Sequence, residues 1–172
     1  MGFIESIRSC FSKFFTFTGR AARPEFWWFV LFAFVTNTVL TLLDELVFNL
    51  PGQTLLLGSP LSGIFSLVVF FPLLAVAWRR LHDTGRPGWL ALVPVGLNIL
   101  GMVGVFSGIL AFATLEKAGA ESDTLLSLAT FLGVNGILLV LAAQFVMTVL
   151  LIWWCSRPGE PGGNAWGAPP LR

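Results

Sequence analysis

Five arginines and one histidine–aspartate pair are the side chains of this sequence best suited to chemistry. The arginines fall in two short polar stretches and are Arg20, Arg23, Arg79, Arg80 and Arg86. A guanidinium group binds a phosphate or a carboxylate through two parallel hydrogen bonds, which a lysine ammonium cannot do. The sequence therefore predicts a site for an anion, such as a lipid headgroup or a phosphorylated ligand.

Internal ion pairs are the alternative use of these arginines. Arg79 and Asp83 lie four residues apart and would pair on a continuous helix. Glu25 is expected to pair with Arg79 or Arg80, because the two predicted helices that carry them reach the same edge of the membrane. We therefore predict a structural role for four other polar residues, which are Glu25, His82, Asp83 and Asn164. The two uses are compatible if some arginines stay unpaired.

His82 and Asp83 also allow an acid–base interpretation. A carboxylate orients a histidine and raises its pKa when the two side chains meet. Adjacent residues rarely point at each other, however, and no nucleophile motif accompanies them. One histidine and two distant cysteines, Cys10 and Cys155, do not supply a set of metal ligands. We therefore expect no catalytic residue, no metal and no cofactor, with a lipid-modifying enzyme as the least favoured alternative.

The composition indicates that these residues belong to a membrane protein. Hydrophobic residues make up 56% of the chain and charged residues only 11%, whereas a soluble domain carries about 25% charged residues. Four apolar runs are each long enough to cross a bilayer, at about residues 26–43, 62–78, 89–114 and 126–154. The sequence therefore predicts an all-α polytopic membrane protein with four transmembrane helices, which together form a domain over residues 18–154.

Two further segments flank that domain. Residues 1–17 place apolar side chains at helical spacing, namely Phe3, Ile4, Ile7, Phe11, Phe14 and Phe15. This pattern predicts an amphipathic interfacial helix in the headgroup region, with packing against its own bundle as the alternative. Residues 155–172 are rich in glycine and proline and predict an irregular tail.

The distribution of charge predicts the orientation. Nine of the ten lysines and arginines lie in the N-terminal segment, the loop after the second span and the tail, and only Lys117 lies elsewhere. By the positive-inside rule, the N-terminus, this central loop and the tail are cytoplasmic. All seven tryptophans lie at the same end: Trp27, Trp28, Trp78, Trp89, Trp153, Trp154 and Trp166. The net charge of +1 gives no general attraction to nucleic acid.

Three motifs in this order resemble a known family. They are Phe17-Thr18-Gly19-Arg20-x-x-Arg23-x-Glu25-Phe26-Trp27-Trp28, then Arg79-Arg80-Leu81-His82-Asp83-Thr84-Gly85-Arg86-x-Gly88-Trp89, then Pro158-Gly159-x-Pro161-Gly162-x-Asn164-x-Trp166-Gly167. They are similar to the signatures of domain-of-unknown-function family 805, a family of small bacterial inner-membrane proteins. That family usually has Tyr or Phe in place of Trp166, and an Asp in the closing run where this chain has residues 167–170. The resemblance implies a multi-pass protein of the bacterial inner membrane and implies no activity.

The sequence thus favours a non-enzymatic binding or assembly protein. Its predicted cytoplasmic face of arginine and tryptophan would engage an anionic membrane lipid, a protein partner or a second copy of the chain. The alternative is a small transporter or permease-like component. Proton-coupled transporters usually have an ionisable residue in the middle of a span, and no predicted span of this chain has one. Many transporters also contain an inverted repeat, and none is visible in this sequence. Both observations count against the transporter alternative.

The predicted orientation can be tested with reporter fusions. A reporter fused after Arg172 should report a cytoplasmic location, and one inserted at Gly119 a periplasmic location, because four spans return the chain to its starting side. A periplasmic signal after Arg172 would contradict the four-span topology and would separate the tail from the other two motifs.

Overall fold

The computed structural model describes residues 1–48, 60–117 and 123–170, and the regular elements in these ranges are helices. In chain order they are α1 (Phe3–Ser12), α2 (Arg23–Phe48), α3 (Pro60–Asp83), a 3-10 segment (Gly88–Leu92), α4 (Val93–Lys117) and α5 (Asp123–Ser156). The helices α2 to α5 are each long and apolar enough to cross a membrane. The prediction of an all-α protein with four transmembrane helices is therefore confirmed.

The helices differ from the predicted spans at their ends. Helix α2 begins at Arg23 and ends at Phe48, whereas the first span was predicted at 26–43. Helix α3 continues beyond residue 78 through the polar motif to Asp83. Hydropathy marks the part of a helix that crosses hydrocarbon, whereas the helix itself continues as long as its polar side chains find partners. At the start of the third span, a 3-10 segment precedes the α-helix.

The chain divides into two compact units. The first comprises Met1–Ala91 together with Trp154–Arg172, and the second comprises Leu92–Trp153. The sequence had grouped residues 18–154 as one transmembrane domain and separated residues 155–172 as a tail. In the structure the tail belongs to the first unit, because its backbone carbonyls accept hydrogen bonds from arginines of that unit.

The core of the first unit is small and lies where α1, α2 and α3 meet. Its buried apolar residues are Cys10, Ala21, Phe29, Val69 and Val76. Aromatic rings join the helices around it: Phe11 meets Phe29 edge-on, with ring centroids 5.6 Å apart. Most other apolar side chains of these helices are exposed, as lipid-facing residues are. Helix position in this unit therefore depends on polar contacts as well as on apolar packing.

Helix α1 packs against this unit through its small residues. Ser6 and Cys10 are buried, whereas Ile4 and Phe15 are 72% and 66% exposed. Packing on its own bundle, the alternative for residues 1–17, is thus present, and contact of the exposed side chains with headgroups stays a prediction. Burial, assisted by the negative charge of Glu25, raises the pKa of the Cys10 thiol to about 12. Cys10 is accordingly a protonated core residue at neutral pH.

The second unit consists of α4 and most of α5. At their contact, a Cβ added at Gly101 would lie 3.3 Å from Cγ1 of Val140, so the absence of a side chain there permits the approach. A cavity of about 210 Å³ lies between these helices, and its lining includes Asn98 and Gln144 but no ionisable residue. The Asn98 amide donates to the Pro94 carbonyl of its own helix at 2.8 Å.

Asp44 joins the end of α2 to the start of α3. It is 1% exposed, and its carboxylate accepts hydrogen bonds from the Leu61 and Ser62 amides at 3.0 and 2.9 Å and from the Ser62 hydroxyl at 3.0 Å. Asp44 lies just beyond the predicted first span of residues 26–43 but within α2. It pairs with amides of the first turn of α3, which have no partner within their own helix.

Replacing Asp44 should therefore destabilise the first unit. We expect Asp44→Ala to lower the melting temperature in detergent by several degrees, because it leaves one buried and one partly buried amide without an acceptor. Glu45→Ala is the matched control, since Glu45 is the adjacent exposed carboxylate. Equal melting temperatures for the two variants would contradict the capping role.

Candidate functional site

The motif residues meet at one end of the first unit. Helix α2 begins there and α3 ends there, and the Ala21 amide donates to the Arg79 carbonyl at 3.1 Å. Side chains come from the stretch before α2 and the first turn of that helix, from the last turn of α3, and from the tail after α5. Residues separated by up to 147 positions in the chain thus lie within hydrogen-bond distance of each other.

Asp83 lies between two buried arginines. Arg20 contacts Oδ1 of Asp83 through Nη2 at 2.7 Å and through Nε at 2.8 Å, and Arg80 Nη1 pairs with Oδ2. Both arginine side chains are 1% exposed. One carboxylate therefore neutralises one of two buried positive charges, and both of its oxygens are occupied.

The remaining donors of Arg20 and Arg80 bind backbone carbonyls, chiefly of the tail. Arg20 donates to the carbonyls of Glu160 and Gly162, both at 2.6 Å. Arg80 donates to the Cys155 carbonyl at 2.9 Å and also to the carbonyl of Arg157. These contacts explain how the fold tolerates two buried guanidinium groups, since a buried donor without an acceptor is costly.

Glu25 forms a second buried ion pair, with Arg79. The distance from Arg79 Nη1 to Glu25 Oε1 is 3.0 Å, and the two side chains are 2% and 4% exposed. The Ser9 hydroxyl donates to the same oxygen at 3.0 Å, and Lys13 Nζ lies 4.0 Å from it. This pair therefore connects α1, α2 and α3. The predicted pairing of Arg79 with Asp83 is wrong: Asp83 pairs with Arg80 and Arg20, because Arg79 points toward α2.

His82 is engaged by groups other than Asp83. Its Nδ1 lies 3.2 Å from the Gly19 carbonyl, and its ring stacks on Trp166 with centroids 4.7 Å apart and planes at 12°. Asp83 is occupied by arginines. The two adjacent side chains thus do not form a catalytic dyad in this structure.

The tail is an ordered part of the site. Asn164 donates through Nδ2 to the His82 carbonyl at 2.9 Å and to Oε2 of Glu160 at 2.8 Å. The backbones of Asn164 and Gly167 exchange two hydrogen bonds, and the Trp166 amide donates to Asn164 Oδ1. A closed turn results, which presents the Trp166 ring to His82.

Two glycines permit this close docking. A Cβ on Gly159 would collide with the Asp83 carboxylate, and a Cβ on Gly85 with the carboxylate of Glu160. Gly85 also has a backbone φ angle of +73°, which residues other than glycine rarely adopt. The glycine content that predicted an irregular tail is thus partly explained by contacts.

Arg23 and Arg86 differ from the three buried arginines. The Arg86 guanidinium lies over the Trp154 ring, 5.0 Å from its centroid, and donates to the Thr84 carbonyl at 3.2 Å. Arg23 is exposed and forms no ion pair with any residue that the structure describes. Of the five arginines that were predicted to bind an anion, four therefore have contacts within the protein, and Arg23 remains available to bind one.

A cavity of about 370 Å³ opens beside these residues. Its lining includes three of the five arginines and two carboxylates: Arg20, Arg23, Arg80, Asp83 and Glu160. A neighbouring cavity of about 430 Å³ shares Arg20 and also contains Lys13 and Glu25. In the described ranges, no group of three histidine, cysteine, aspartate or glutamate side chains is arranged to hold a metal ion.

The sequence alone did not indicate several of these contacts. Trp166 was noted as one of the tryptophans at this end but not as the stacking partner of His82, and nothing in the sequence indicated the contact of Ser9 with Glu25. The backbone carbonyls that accept from Arg20 and Arg80 have no sequence signal. The adjacent glycines and prolines of the tail were the one available indication that this backbone packs closely against other groups.

The pairing of Glu25 can be tested with double-mutant cycles. We expect a coupling energy between Glu25→Ala and Arg79→Ala, since removing one partner of a buried pair costs about 3–5 kcal/mol and removing both costs less than the sum. The cycle of Glu25→Ala with Arg80→Ala is the control and should be additive within about 0.5 kcal/mol, because the two do not pair. Detergent melting measurements give both values, and coupling to Arg80 instead of Arg79 would contradict this geometry.

Comparison with known proteins places the chain in a family. The family model described as "Protein of unknown function (DUF805)" matches residues 14–168. Inner membrane protein YhaH of Escherichia coli K12 is 43% identical over 77 residues, which are 45% of this chain and 61% of that protein. Inner membrane protein YhaI of the same organism is 35% identical over 88 residues, 49% of this chain and 66% of that protein.

The match thus covers less than two thirds of the length of either relative. No solved structure matches the chain. The range that the family model matches, however, includes all three motifs and also residues 100–150, which the motifs do not cover. The resemblance seen in the sequence is confirmed: this multi-pass membrane protein belongs to the DUF805 family of proteins of unknown function.

Proposed function

We propose that this protein is a non-enzymatic binding or assembly protein of the inner membrane, and that its partner is an anionic membrane lipid. The arginine- and tryptophan-rich end of the first unit is the binding face and lies on the cytoplasmic side. The observation that carries the proposal is the cavity of about 370 Å³ that three arginines line at this end. A cavity of this size is in the range that holds small ligands or headgroups.

The position of the cavity favours a lipid over a soluble partner. The part of α2 that is apolar enough to cross the membrane begins at Arg23, which lines the cavity. Trp27 and Trp28 follow in the next turn and are 38% and 40% exposed, as tryptophans at headgroup depth commonly are. An anion held at Arg23 would therefore lie at the level of the lipid phosphates.

The contacts of His82 and Asp83 support a role other than catalysis. The Asp83 oxygens are occupied by arginines, and the His82 ring is held by a carbonyl and by Trp166. A general base needs a free acceptor atom within reach of the proton that it removes, whereas both Asp83 oxygens and the Nδ1 of His82 already have partners. The transporter alternative has no comparable support, because the cavity between α4 and α5 has no ionisable lining.

Native mass spectrometry of the full chain tests the proposal. After delipidation, the protein should retain phosphatidylglycerol about tenfold better than phosphatidylethanolamine with the same acyl chains. Both headgroups contain a phosphodiester, but the ammonium group of phosphatidylethanolamine cancels its negative charge and is repelled by the three guanidinium groups of the lining. A difference of about 1.4 kcal/mol is enough for a tenfold effect. Equal retention of the two lipids would contradict lipid binding. Solute flux in proteoliposomes would favour the transporter alternative, and a stoichiometric protein that survives delipidation would favour a protein partner.

A further inference from the structure

We infer that the arginine cavity is a binding site for a singly charged phosphodiester. Arg23 donates hydrogen bonds to the phosphodiester oxygens, and Arg20 and Arg80 act as fixed positive charges. This inference rests on the proposed function and specifies its ligand. The arginine cavity is the space of about 370 Å³ whose lining includes Arg20, Arg23 and Arg80.

The hydrogen-bond partners of the three arginines separate their roles. Arg20 directs its nitrogens to Asp83 and to carbonyls at Glu160 and Gly162. Arg80 likewise uses its nitrogens on Asp83 and on carbonyls. Every nitrogen of both guanidinium groups therefore already donates to a group of the protein. Arg23 is exposed and has no ion pair in the described part of the chain, so its fork is available for two phosphate oxygens.

The balance of charge at the cavity determines the class of anion. The ionisable side chains of its lining are three guanidinium groups and the two carboxylates of Asp83 and Glu160. Among these side chains one positive charge is in excess, which matches a phosphodiester with its single negative charge. A phosphomonoester carries nearly two negative charges at neutral pH and would leave one uncompensated. Because Arg20 and Arg80 are 1% exposed in their side chains, their fields are less screened than those of surface arginines.

The start of α2 adds to this preference. Ala22, Arg23 and Pro24 line the cavity, and the Phe26 amide donates to the Ala22 carbonyl, so the first turn of the helix lies at the cavity. The positive end of the helix dipole favours an anion at this position. The dipole acts together with the arginine charges and does not define the site by itself.

A phosphodiester of this kind has two sources, a phospholipid headgroup or a free soluble diester. Both present the same oxygens to Arg23, so the experiment needs one probe for each. Phosphatidylglycerol is the lipid probe, and glycerophosphoglycerol, which is its headgroup without acyl chains, is the soluble probe.

The variant Arg23→Gln removes the guanidinium group that is proposed to bind the phosphodiester, and it disturbs no buried contact. The matched control is Arg8→Gln, because Arg8 is an exposed arginine of α1 that is not in the lining of the cavity. We expect Arg23→Gln to reduce phosphatidylglycerol retention about tenfold in native mass spectrometry, and Arg8→Gln to leave it unchanged. Unaltered melting temperatures of both variants exclude unfolding as the cause.

A second variant changes the charge in the opposite direction. Glu160→Gln removes a carboxylate of the lining while its amide oxygen can still accept from Asn164, so it should raise retention by a few-fold. Loss of binding in Arg23→Gln together with a gain in Glu160→Gln supports the site. A melting-temperature increase with glycerophosphoglycerol that Arg23→Gln abolishes supports the same site with a soluble source.

The possible failures are distinguishable. If the wild-type chain prefers phosphatidylglycerol but Arg23→Gln and Arg8→Gln retain it equally, the arginine cavity is not the site, whereas the proposed function stands. If the wild-type chain binds both lipids equally and glycerophosphoglycerol has no effect, both the proposed function and this site are overturned. Tighter retention of phosphatidic acid, a phosphomonoester, than of phosphatidylglycerol would overturn the assignment of a singly charged ligand.

Discussion

The carboxylate of Asp83, held between the guanidinium groups of Arg20 and Arg80, is the interaction on which the first unit depends. Moving a charged group out of water costs several kcal/mol even after the protein relaxes, and a mutual attraction repays this only when the other donors are satisfied. Two buried cations and one buried anion cannot satisfy each other alone. The carbonyls of the tail supply the missing acceptors, so the order of the tail and the burial of the arginines depend on each other.

This dependence accounts for the residue types of the motifs. A lysine at position 20 would have one nitrogen, whereas Arg20 reaches Asp83 and two separate carbonyls with three nitrogens. Gly159 is required because the tail backbone passes directly against the Asp83 carboxylate. The last turn of α3 distributes the contacts: Arg79 points to Glu25 and the α1–α2 side, and Arg80 points to the tail. Adjacent residues of one helix thereby hold different segments of the chain.

The sequence predicted the fold well and the site only in part, for physical reasons. Spanning helices are visible because lipid imposes long apolar runs, and the polar residues that follow them, such as Arg79 to Asp83, continue α3 only because tertiary partners exist. The pairing of Glu25 with Arg79 was one of two alternatives that helix position left open, since it places residues 79 and 80 at the same depth but does not give their direction. The tail could not be predicted as ordered, because its main contacts come from backbone carbonyls, and every residue has one.

Their hydrogen-bond partners distinguish the arginines that build the site from the one available to a ligand. A buried ion pair is weak evidence of stability, because apolar residues of similar volume often stabilise a protein as well. The cluster of Asp83, Arg20 and Arg80 therefore acts mainly through its geometry. It fixes the start of α2 beside the end of α3, and it keeps the two arginine charges at the edge of the cavity. Arg23 follows Arg20 by three residues but lies outside this cluster and is exposed. A ligand bound to Arg23 gains from the fixed field without having to break any of the contacts that produce it, and for this reason the structural and the ligand-binding interpretations of the arginines are compatible.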